Sequence, residues 1–176
     1  MSTLHLRFPR KVHDLQDNLE FFFYVVLFYT LQYLPISISQ LELVDLMKAI
    51  FEECTPMYAL GINIGGQAKA RLLAGADTSF FCLVSIDNPP VNSWMRASWL
   101  AFEELHWYIE DEKLKVLRAR MSDSAILTQE VQQTTQMPTL APHIRLRDHS
   151  HFFKIFKDVL ALEEWSQARK PTAAAH

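Results

Sequence analysis

The chain has 176 residues, 49% of them hydrophobic and 21% charged, with a formal net charge of −3. That length suits one domain, and the composition is that of an ordinary globular chain. The slight acidity argues against a nucleic-acid partner or an anionic membrane, and four glycines are too few for a glycine-rich phosphate loop or a turn-rich all-β fold.

Residues 1–16 read as an irregular segment, because Pro9 opposes a helix across them, and Arg7, Arg10 and Lys11 form its solvated basic group. No apolar block interrupts residues 1–20, so a secretory leader is not expected. Cys54 and Cys82 fit no metal or redox spacing, which favours a reduced, intracellular and soluble protein.

The strongest signal is Phe21–Leu34, FFFYVVLFYTLQYL, which is apolar on every side and so predicts a helix buried in a protein core. Asp17 and Glu20, three residues apart, predict an N-cap with a reciprocal carboxylate, and Pro35 closes the helix. A membrane span needs about twenty apolar residues. This run is shorter, contains Gln32 and is bounded by Glu20 and Pro35. Its Phe, Tyr and Val content also suits a buried strand, but its length favours helix.

Ser39-Gln40-Leu41-Glu42 is a capping box. It opens a helix with Leu43, Val44, Met47, Ile50, Phe51 and Cys54 at three- and four-residue spacing, and Pro56 follows its end. Gly61, Gly65 and Gly66 mark a loop, and Gln67 to Leu73 suit a short helix. Ser79 to Ile86 is either a short strand or a buried extended segment. Asp87-Asn88-Pro89-Pro90 is a turn and a helix start. Val91, Trp94, Met95, Trp99, Phe102, Leu105 and Ile109 form that helix's apolar stripe, with Arg96, Glu103, Glu104 and Glu110 opposite. It runs on to Leu117 or breaks near Asp111.

Residues 121–147, rich in Gln and Thr with Pro138 and Pro142, read as a flexible insertion or linker. A C-terminal helix within 148–169 follows, capped by Asp148 or Ser150, with Phe152, Phe153, Phe156, Val159 and Leu160 inward. It packs on a helical core formed by residues 17–120, and residues 170–176 are expected to be a disordered tail. The fold class is mainly α.

The stretch from His13 to Leu27, HDLQDNLEFFFYVVL, resembles a segment of fungal-type protein kinases, which carry a pattern like H-x-L-x-D-D-L-E-S-F-F-Y-V-L-L. The resemblance implies that it begins helix F, the buried central helix of the kinase large lobe. Gly65-Gly66-Gln67-Ala68-Lys69 is similar to the family's G-G-x-x-K element, and Phe152 to Trp165 to its final helix and closing tryptophan. The implied fold is a partial protein-kinase large lobe from helix F onward, without the N-terminal lobe and catalytic loop. Asp17, Asn18, Leu19 and Glu20 would be its structural helix-F motif. The family places at Asn18 an aspartate whose carboxylate holds the catalytic loop through backbone N–H groups, and at Phe21 a serine. An amide oxygen accepts such bonds more weakly than a carboxylate.

Phosphoryl transfer needs a glycine-rich lid, a phosphate lysine, a catalytic aspartate and metal-binding groups. The sequence contains no G-x-G-x-x-G, no V-A-I-K strand and no Asp-Phe-Gly. His13-Asp14 with Asn18 mimics a catalytic loop, but lacks the arginine and is one residue short. No catalytic, cofactor or metal residue is therefore expected, and ATP and Mg belong to the intact family only. His143, His149 and His151 with Asp148 match no zinc pattern and read as loop and helix cap. Trp94, Trp99, Trp107 and Trp165 read as core side chains.

The expected function is a catalytically inactive, truncated large lobe, a pseudokinase fragment. The alternatives are a non-catalytic helical protein-interaction module and a membrane-associated helical protein. If upstream helices are missing, several Phe21–Leu34 side chains lose partners worth about 1.5–3 kcal/mol each. A protein partner or self-association is then expected to cover them.

Overall fold

The computed structural model describes residues 13–57, 62–75, 84–122, 140–162 and 165. The expectations for residues 1–12, 79–83, 123–139 and 170–176 lie outside them. The described chain is mainly helical. Its elements are α1 (Leu15–Tyr33), α2 (Gln40–Met47) with a π-helical turn (Lys48–Glu52), β1 (Cys54–Met57), β2 (Ile62–Gly65), α3 (Gln67–Leu73), α4 (Pro89–Ser122) and α5 (Ser150–Leu160).

Helix α1 starts earlier than its apolar run. Asp14, not Asp17, is the N-cap: its Oδ1 accepts the Asp17 N–H at 3.0 Å, and Asp17 Oδ2 accepts the Asp14 N–H at 3.0 Å. Asp17 is the reciprocal member of the box, and Glu20 sits a turn deeper in the helix. The frame shifts because Asp14 supplies the capping oxygen three residues sooner. Such a cap stabilises a helix by about 1 kcal/mol. The helix ends before Pro35, and the Leu34 N–H still reaches the Thr30 carbonyl at 3.0 Å. All-round burial is corrected to two faces. Phe23, Tyr24, Leu27 and Leu31 are buried, while Phe21, Tyr29 and Tyr33 are 51%, 56% and 67% exposed.

The Ser39–Glu42 capping box opens α2 as expected: Glu42 N–H donates to Ser39 Oγ at 3.3 Å, and Ser39 N–H to Glu42 Oε2 at 2.8 Å. Beyond the π-helical turn the chain forms a small ribbon where a helix end and a loop were expected. β1 and β2 pair antiparallel, Cys54 opposite Gly65 and Met57 opposite Ile62. Pro56 follows the helix end, as expected, and lies inside β1, which a two-stranded ribbon tolerates because both strands are edges. Four-residue strands also show too little alternation to register as strands in a sequence. Helix α3 spans Gln67 to Leu73, as read.

Val84–Ile86 proves to be extended. Ile86 bridges Ile36, the Ser37 N–H donates to the Ser85 carbonyl at 3.0 Å, and the Asp87 N–H donates to the Pro35 carbonyl at 2.9 Å. Asn88 Oδ1 then accepts the Val91 N–H at 3.0 Å and opens α4. α4 passes Asp111 without a break. Lys113–Glu110 at 2.7 Å and Lys115–Asp111 at 2.8 Å link successive turns there.

α5 packs against α4. Phe152, Ile155 and Val159 are buried at i, i+3 and i+7, so the inward set is corrected: Phe153 and Leu160 fall off that stripe and are 59% and 63% exposed. Asp148 Oδ1 accepts the Ser150 N–H at 2.8 Å, and this bond, first among its causes, holds the Asp148 carboxyl below its ordinary pKa. Ile144 and Leu146 are buried, and the Leu146 carbonyl accepts from Gln16 Nε2 at 2.9 Å. The core thus reaches into the range 121–147 read as a linker.

The core is aromatic at its centre. Phe102 lies 5.4 Å from the Phe23 ring and 6.0 Å from Phe152, and Trp94 lies 5.7 Å from Phe152. Trp94 is buried here, whereas Trp107 is 64% exposed, against the expectation of four core tryptophans. Trp99 donates to the Leu72 carbonyl at 2.6 Å and ties α4 to α3. Among the described residues, no helix is long and apolar enough to cross a membrane.

Candidate functional site

The motif residues divide between two environments. Asp17 and Glu20 are 1% and 3% exposed, Leu19 is half-buried, and Asn18 lies on the exposed face. His13 Nδ1 stands 3.8 Å from Asp17 Oδ2. Glu20 shares the inward stripe of α1 with Tyr24, one turn on.

The second partner comes from α3. Gly66, at φ +77°, turns the chain into that helix through the left-handed region, which a side chain would strain. Glu53 Oε2 accepts the Ala68 N–H at 2.9 Å and satisfies one of the helix's orphan donors. Gly75, at φ +69°, ends the segment in the left-handed region that a side chain would strain, beside the Glu103 carboxylate. Lys69 is thereby set on the inward face, 8% exposed. Its Nζ lies 4.7 Å from the Tyr24 ring centroid and 5.6 Å from that of Phe51. Tyr24 Oη donates to the Lys69 carbonyl at 2.9 Å. Burial pushes the Lys69 pKa down, and the Glu20 carboxylate opposes this as the smaller effect.

Glu20 and Lys69 are distant in sequence, yet Tyr24, one turn from Glu20, donates to the Lys69 carbonyl, and the Glu20 carboxylate acts on the Lys69 ammonium. The result is a buried cation between two aromatic faces, with a buried carboxylate acting on it. Cation–π contacts contribute about 0.5–2 kcal/mol each, more where desolvated. The cluster joins α1, the π-helical turn and α3. Its chemistry is that of a lock between elements, since the ammonium is turned inward, away from any substrate in solvent. The sequence marked Lys69 only through its motif; its burial had no local signal.

The histidines disperse. His143 faces Tyr108 at 6.2 Å, and His149 stacks on Phe153 at 5.9 Å. Among the described residues, no three His, Cys, Asp or Glu side chains gather to hold a metal. A depression of about 560 Å³ on the outer side of α5 is lined by the exposed Ser150, Phe153, Lys154, Lys157 and Asp158.

His151 has one consequence for stability. Burial, then Arg145, lowers its pKa, with Lys154 adding and Glu104 and Asp158 opposing. Its folded pKa therefore lies below the unfolded value of about 6.5, and the unfolded chain takes up the proton first as pH falls. Stability should drop as pH falls from about 6.5 toward the folded pKa. Urea midpoints across that window should fall less steeply for His151→Gln; identical slopes would refute the assignment.

In comparisons with protein-family models, curated proteins and solved structures, none matches this chain.

Proposed function

We propose that these residues form a helical unit related to the large lobe of fungal-type protein kinases, from helix F onward, that does not transfer phosphate by itself. The observation that carries this reading is the exposed stripe of α1. Asn18, Phe21, Tyr29 and Tyr33 share one side of the helix and are all exposed. In the family that this chain resembles, the catalytic loop packs beside the position of Asn18. The meeting of Lys69 with Glu20 adds support, because it joins two of the three sequence elements on which the resemblance rests. No part of the ATP-handling machinery occurs in the 176 residues.

The test supplies the absent half. The N-terminal lobe and catalytic loop of an intact fungal-type kinase, made as a separate polypeptide, should co-elute with this chain. Binding should quench an apolar dye bound at the α1 stripe, and Asn18→Asp should tighten the complex by restoring a charged acceptor. No complex with either chain, and unchanged dye fluorescence, would overturn the reading. So would phosphate transfer by the isolated chain that survives removal of contaminants.

A helical interaction module is the second reading. Tyr29 and Tyr33 stack at 5.9 Å while exposed, and paired tyrosines are common anchors of protein interfaces.

A further inference from the structure

We draw no further inference here: the strongest candidate, the exposed apolar file of Leu100, Trp107 and Leu114 along the outer side of α4, carries nothing because nothing in the structure shows what covers it.

Discussion

Phe102→Ala should lower the unfolding free energy by about 3–5 kcal/mol, the cost of removing a large ring from a site that cannot collapse around the void. Phe102 is 0% exposed, and it is where three helices meet: α1 contributes Phe23 at 5.4 Å, and α5 contributes Phe152 at 6.0 Å. The Phe23 pair is tilted and the Phe152 pair is edge-to-face, geometries worth about 0.5–1.5 kcal/mol beyond burial. Against a whole-domain stability of about 5–15 kcal/mol, this single truncation removes a large fraction. Phe153→Ala supplies the contrast, since that ring is 59% exposed and its loss should change stability by about 0.5 kcal/mol or less. Urea unfolding followed by circular dichroism measures both. A Phe102→Ala cost under about 1 kcal/mol would show that the three helices do not share this core.

The second large effect is at Glu20. Glu20→Ala should destabilise the fold, because it removes the buried carboxylate that favours the Lys69 ammonium against the larger effect of its burial. Lys69→Met should cost about 1 kcal/mol or less, since methionine keeps the stem against Tyr24 and Phe51 and removes the charge whose burial is unfavourable. The double variant should be less damaging than the two single costs combined, the non-additivity that marks coupled residues. The direction of the shift sets the pH dependence. The folded pKa of Lys69 is lowered, chiefly by burial. Between that value and the unfolded value of about 10.4, the unfolded chain holds more protons, so stability contributed at this site rises with pH. The wild type should therefore gain stability relative to Lys69→Met as pH approaches about 10.4. Additive costs and parallel pH profiles would together sink the coupling.

Different parts of the molecule were legible to different degrees, for physical reasons. Capping chemistry is local, so Ser39–Glu42 and Asn88 were readable as helix starts. The cap of α1 was misplaced by three residues because Asp14 and Asp17 present the same oxygens, and only backbone geometry decides which one precedes the first turn. The stripe Trp94, Met95, Phe102, Leu105 and Ile109 was readable because helical period alone groups it. Trp107 was read into the core and is exposed instead, because apolarity by itself does not say which side of the helix faces the core. The β1–β2 ribbon was missed because four-residue strands owe their pairing to each other across a turn, a non-local contact.

By itself the sequence determined that the chain is mainly helical, where α3 lies and that α1 ends before Pro35. These are matters of spacing, capping and residue type, which act within a few positions of one another. Only the tertiary structure decided which side of α1 is buried, that Lys69 rests inside against Tyr24 and Phe51, that Ile144 and Leu146 join the core, and that Trp107 does not. Burial is a property of what packs against a face. That depends on segments far apart in the chain, and no window of neighbouring residues encodes it.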